Sequence, residues 1–298
     1  MNGFKAACLS GRFVVTSEIG PPKGTDIESV VADIDLLKDR VNGLNVTDNQ
    51  SAVMRMGPAA IAHEIIARGG EAIYQLTCRD RNRLALQSDL LAAHALGVRN
   101  VLCLTGDHPC IGDHPQAKPV FDFDSVHLIQ CAGLLNDGVD WNGIELQGVT
   151  DFYIGAVVAP DVDPVKPQLF KLSKKVEAGA GFFQTQAVYD MERFAEFMVT
   201  VRDITAGTQV KVLAGMLVLT GMGMARYMNA SVPGISVPDP LVQELADAPE
   251  GEAAMVGADI CARHIRFLCD EGICDGVHVM ALGRADLVPR ILDQVGVL

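Results

Sequence analysis

The chain has 298 residues, 49% of them hydrophobic, with 24 basic and 37 acidic side chains and a formal charge of −13. That excess of acid excludes nucleic acid and anionic membrane surfaces as default partners, and no apolar run reaches the roughly 18 residues of a membrane span. The N-terminus lacks the long apolar core of a secretory signal, so a cytoplasmic protein with one α/β domain over 1–298 is expected.

Short apolar runs bounded by Gly, Asn or Asp predict strands at 13–18, 43–48, 71–77, 100–106, 152–159, 181–186, 211–217 and 276–282. Helices are predicted between them. The first spans Asp26 to Arg40, where Ile27, Val30, Val31, Ile34, Leu37 and Val41 recur at helical spacing. Pro58 suits the first turn of a helix over 58–68. Further helices follow at 82–96, 124–136, 165–178, 190–204 and 252–270, and 285–295 closes the chain. Eight strands alternating with helices predict a single (β/α)8 TIM barrel. A doubly wound open sheet is the rival, but no strand is followed by GxGxxG. Gly221-Met222-Gly223 reads as a turn and helix start, and the proline-rich Val232–Pro240 as an extra loop.

Barrel enzymes place their chemistry at the C-terminal ends of the strands. Glu18 ends the first strand before Ile19-Gly20-Pro21-Pro22, and Asp107 ends the fourth before His108-Pro109. In one barrel these two carboxylates can face one pocket. The other strand-end candidates are Asn45, Thr47, Asp48, Gln75, Thr77, Thr105, Gly106, Asp161, Asp163, Gln184, Gln186, His278 and Arg284. The set is rich in amides, hydroxyls and carboxylates and has neither metal spacing nor a Ser-His-Asp arrangement. It suits a large heterocycle held by hydrogen bonds, with a carboxylate moving a proton. Lys171, Lys174 and Lys175 share one face of the helix after the fifth strand, where a phosphate or pyrophosphate can be held. The eight cysteines form no CxxC and read as buried structural thiols.

Taken in order, these segments resemble the methylenetetrahydrofolate reductase family. The matching segments are Ser17-Glu18-Ile19-Gly20-Pro21-Pro22, Asn45-Val46-Thr47, Leu76-Thr77-Cys78 and Leu104-Thr105-Gly106-Asp107. They continue with Lys174-Lys175-Val176-Glu177-Ala178-Gly179-Ala180, Thr185-Gln186 and Val277-His278-Val279-Met280-Ala281-Leu282-Gly283-Arg284. The resemblance implies an FAD-containing barrel that reduces 5,10-methylenetetrahydrofolate to 5-methyltetrahydrofolate. It implies that Glu18 is the general acid and that Asp107 lies between flavin and pterin. It further implies that Gln186 and Arg284 bind folate, and that Thr47, Asp48, Gln75, Thr105, Gly106, Lys171, Lys174 and Lys175 contact FAD.

Gln75 stands where many bacterial members have His, Thr105 where they have Arg, Ala159 where a Tyr is usual and Met224 where a Gln is usual. The segment from Asp161 to Leu169 is also shorter. These departures leave the electron donor open among NADH, NADPH and a reduced partner subunit. The chain ends with the barrel, which implies a form without a regulatory domain, and homo-oligomerisation is compatible with it. Two other readings stand beside the reductase. One is a pterin-binding methyltransferase barrel; the other is a barrel subunit of a larger electron-transfer complex.

Overall fold

A computed structural model describes residues 3–296. Eight parallel strands close on themselves in chain order: β1 (Val14–Ile19), β2 (Gly43–Val46), β3 (Ala72–Thr77), β4 (Asn100–Leu104), β5 (Tyr153–Val158), β6 (Phe182–Ala187), β7 (Lys211–Leu217) and β8 (Gly276–Met280). This is the single (β/α)8 TIM barrel expected from the alternating pattern. A barrel strand is buried on both faces, which explains why these segments are mostly apolar rather than strictly alternating.

Helices pack outside. They are α1 (Gly3–Leu9), α2 (Glu28–Leu37), α3 (Pro58–Ala67), α4 (Arg83–Ala95), α5 (Ser125–Asn136), α6 (Lys166–Glu177), α7 (Met191–Ile204), α8 (Met222–Ser231), α9 (Asp239–Ala246), α10 (Ala253–Asp270) and α11 (Leu287–Val295). Side-chain caps fix several starts: Asn82 accepts the backbone N–H groups of Leu84 and Ala85, and Asp124 those of Val126 and His127. The glycine pair at 221 and 223 does begin a helix, α8. The proline-rich loop is shorter than expected, because Asp239 and Pro240 already form the first turn of α9.

Four strands stop short of their expected ends, β5 by the single residue after Val158 and β2, β4 and β8 by two. After β2 the chain turns so that the Asp48 carboxylate accepts the Thr77 backbone N–H at 2.9 Å. After β4 it turns at Gly106, whose φ of 89° lies in the left-handed region that favours glycine. After β8 it leaves at Ala281.

Alternate residues of each strand point into the barrel, and their character changes from one end to the other. Near the N-terminal mouth Val14, Ile73, Leu102, Tyr153, Phe182 and Leu213 pack with Phe4, Ala7 and Cys8 of α1. The Phe4 ring meets Phe182 edge-on at 5.1 Å, so α1, which the sequence pattern does not predict, plugs that mouth. Gly155 is needed here, since a Cβ at that position would lie 2.2 Å from the Phe182 ring.

One turn higher the interior becomes polar. Asn45 donates to Gln184 Oε1 at 2.7 Å, and Gln184 Nε2 donates back to Asn45 Oδ1 at 3.0 Å. The same Gln184 Nε2 lies 3.2 Å from Thr16 Oγ1, which is 3.0 Å from His278 Nδ1. The thiols of Cys8, Cys78, Cys103, Cys131, Cys261 and Cys274 are buried as expected, whereas Cys110 is exposed. No helix among the described residues is long and apolar enough to cross a membrane.

Candidate active site

Above the polar layer, at the C-terminal ends of the strands, lies a cavity of about 360 Å³. Glu18 and Asp107 both line it, together with Asp48, Gln75, Thr105, Gly106, Lys171, Lys175 and Gln186. The fold therefore gathers most of the strand-end candidates around one space, as the barrel topology requires of residues in equivalent positions.

The two carboxylates occupy different surroundings. The Glu18 side chain is only 9% exposed, with Oε2 3.8 Å from His278 Nε2 and Oε1 accepting Gln50 Nε2 at 3.3 Å. Asp107 is exposed within the cavity mouth, and its backbone carbonyl lies 3.5 Å from the Arg79 guanidinium. Gln186 is the exposed member of an otherwise buried strand. The β6–β7 pairing shifts register between Gln184 and Ala187, and Thr185 Oγ1 accepts the Gly215 backbone N–H at 2.9 Å.

Lysines 171 and 175, one helical turn apart on α6, face the cavity. Lys175 is buried and donates to the Val157 carbonyl at 2.6 Å. Burial pulls its ammonium down to about 8, with repulsion from Lys171 adding to the effect. Ser125, in the first turn of α5, lines the same space, and its backbone N–H donates to Thr105 Oγ1 at 3.2 Å.

Other expected residues are placed elsewhere or already engaged. Lys174 does not join its two neighbours: it pairs with Glu177 at 2.8 Å and lies over the Phe170 ring, so the three lysines divide between two faces. Arg284 is outside the cavity, held by Asp286 at 2.8 Å. Asp48 lines the cavity wall, and its Oδ2 already accepts the Thr77 N–H and hydroxyl and pairs with Arg81 at 2.7 Å. Thr47 is buried and does not line the cavity, and its Oγ1 has no hydrogen-bond partner among the described residues. Asp161, another strand-end candidate, is buried beside Arg193, and burial raises its carboxyl to about 6.

The reading of strand ends missed Arg79 and Gln50, both of which line the cavity. Arg79 is 2% exposed, forked onto the Asp80 carboxylate at 2.8 and 2.7 Å. It stands two residues past the end of β3, so counting two positions beyond each strand finds it. Gln50 has no such signal, because its approach depends on the unusual loop that carries it. Among the described residues no group of acidic, histidine or cysteine side chains is arranged to hold a metal ion.

Comparison with known proteins places this geometry in a family. A family model described as methylenetetrahydrofolate reductase matches residues 4–296. The 5,10-methylenetetrahydrofolate reductase of Pectobacterium carotovorum subsp. carotovorum is 28% identical over 97% of this chain and 92% of its own. That of Escherichia coli K12 is 27% identical over 97% of this chain and 93% of its own. A solved structure from Clostridium thermocellum, described as binding two copies of 5-methyl-5,6,7,8-tetrahydrofolic acid, superimposes with a TM-score of 0.61. It covers 99% of this chain and 98% of its own at 15% identity, a likeness of fold.

Proposed function

The chain belongs to the methylenetetrahydrofolate reductase family, and from that premise we propose a flavin-dependent reduction of 5,10-methylenetetrahydrofolate to 5-methyltetrahydrofolate with Glu18 as the general acid. The observation that carries this reading is the convergence of Glu18, Asp107 and Gln186 on the same cavity as Lys171 and Lys175. A proton donor, hydrogen-bonding groups for a fused ring and cations for a phosphate are thereby within one ligand's reach.

The residues present fit FAD. Lys171, Lys175 and the Ser125 hydroxyl suit a pyrophosphate, and Gln75 and the Thr105–Gly106 turn suit the polar edge of a flavin ring. Asp48 takes part through Thr77, whose backbone N–H and hydroxyl its Oδ2 holds. Lys174 and Arg284 receive no role here, since each is engaged away from the cavity.

Flavin bound in this cavity supplies the hydride. Glu18 donates a proton to folate N10, so that the five-membered ring opens and an iminium carbon is exposed to that hydride. Its shielded position limits the access of bulk water to the reacting groups. Asp107 accepts hydrogen bonds from the pterin, and Gln186 holds the pterin edge from β6. NADH, NADPH and a reduced partner protein all remain compatible as the source of electrons.

The test is a flavin spectrum of the purified protein followed by anaerobic titration. Added FAD should give the flavin bands, NADH or NADPH should bleach them unless the donor is a partner protein, and 5,10-methylenetetrahydrofolate should restore them. Protein that stays colourless with excess FAD sinks the flavin mechanism. Binding of 5-methyltetrahydrofolate without flavin points instead to the methyltransferase barrel.

A further inference from the structure

We propose that Gln50 is a positioning residue for Glu18, held against it by a strained loop that three neighbouring loops lock in place. The inference rests on the reading of Glu18 as the acid. Gln50 Nε2 donates to Glu18 Oε1 at 3.3 Å, and both side chains line the cavity. The other carboxylate oxygen sits 3.8 Å from His278, beyond hydrogen-bonding distance.

The loop gives this contact more weight than an exposed glutamine usually has. Asn49, Ser51 and Ala52 adopt φ values of 45°, 55° and 57°, and none of them is glycine. Side-chain-bearing residues avoid this region, so such a cluster persists only where the surroundings impose it.

The restraints are visible. Asn49 Oδ1 accepts the Arg55 backbone N–H at 2.9 Å, and the Asn49 carbonyl accepts Arg79 Nη1 at 3.3 Å. Asp113, from the loop after β4, accepts the Met54 backbone N–H at 2.9 Å while pairing with Lys23 from the loop after β1. Gly112 presses on the Ala52 carbonyl so closely that a Cβ there would lie 1.9 Å from its oxygen. The loop is pinned by contacts with the segments after β3 and β4, and it delivers one side chain, Gln50, to Glu18.

An N–H directed at Oε1 has a chemical consequence. It makes Oε1 the carbonyl-like oxygen of the protonated acid and leaves the proton on Oε2, so the donor atom is fixed before substrate arrives. Gln50 acts through Glu18 and transfers nothing itself.

The experiment compares wild type with Gln50→Met, which keeps length without a donor, and Gln50→Glu, which replaces the donor by a repelling carboxylate. Reoxidation of reduced flavin by 5,10-methylenetetrahydrofolate should slow by roughly tenfold in Gln50→Met and further in Gln50→Glu. The pH at which that step loses half its rate should rise in the same order, while reduction of flavin by its donor stays at the wild-type rate. A Gln50→Met enzyme with wild-type rate and pH midpoint overturns the inference.

If wild-type flavin is not reoxidised by the folate at all, the proposed reaction fails, and Gln50 is then judged on the carboxyl 13C signal of Glu18. The pH midpoint of that signal should still rise in Gln50→Met, and an unmoved midpoint overturns the inference in that case too.

Discussion

The two mouths of the barrel are built from the same eight strands and do opposite work. At the N-terminal mouth the inward residues are Val14, Ile73, Leu102, Phe182 and Leu213, sealed by Phe4. At the C-terminal mouth β1, β3, β4, β6 and β8 present Glu18, Gln75, Leu104, Gln186 and Met280. Moving from Val14 through Thr16 to Glu18 along β1 passes from oil to hydroxyl to carboxyl in two steps of the strand repeat. One end stores stability because apolar burial is favourable without any partner geometry. The other holds polar groups whose desolvation is offset only where hydrogen bonds are supplied, as in the Asn45–Gln184 pair.

Substitutions at each mouth can break that contrast. Glu18→Gln removes the proton donor while keeping shape, and should slow folate reduction by ~10³-fold with flavin reduction largely retained, measured as separate half-reactions. Equal loss in both half-reactions breaks the assignment of chemistry to this end.

Phe4→Ala should cost about 3–4 kcal/mol of stability, read by denaturant unfolding, with the rate per folded molecule unchanged. A fall in that rate shows that the plug also shapes the cavity.

Lysine 175 gives a pH test. Its ammonium is pulled down to about 8, so the charged form prevails below that pH and is lost above it. FAD affinity should therefore weaken as pH rises through about 8, by roughly tenfold, and Lys175→Met should flatten the dependence. Lys174→Ala should leave FAD affinity within about twofold, because its partners are Glu177 and Phe170 rather than the cavity.

Much of this arrangement is legible in the residues themselves. Strand order and the convergence of Glu18, Asp107, Gln75 and Gln186 follow from period, glycine punctuation and the rule of strand ends. What escapes is whatever depends on side-chain direction or on loops. Helical spacing puts Lys171, Lys174 and Lys175 within one stripe, but Phe170 and Glu177 draw Lys174 aside.

Asp48 reads as a ligand contact by position, yet Arg81 and Thr77 from the β3 end claim it, and no local pattern announces that pairing. Arg284 follows a strand but is caught by Asp286 two residues on. Helix α1 is short and its apolar Phe4, Ala7 and Cys8 make sense only against rings from distant strands. Gln50 is hidden because left-handed Asn49, Ser51 and Ala52 carry none of the glycine that would mark such a turn.

The plug at the N-terminal mouth also bears on how the molecule is made. Phe4 leaves the ribosome well before its ring partners Tyr153 and Phe182, which belong to β5 and β6. Until those strands have been synthesised the ring has no aromatic seat, and the opening helix must wait with an apolar face uncovered. A segment translated ahead of every strand is thus one of the last to find its place, and the barrel is corked from below only after its wall is largely standing.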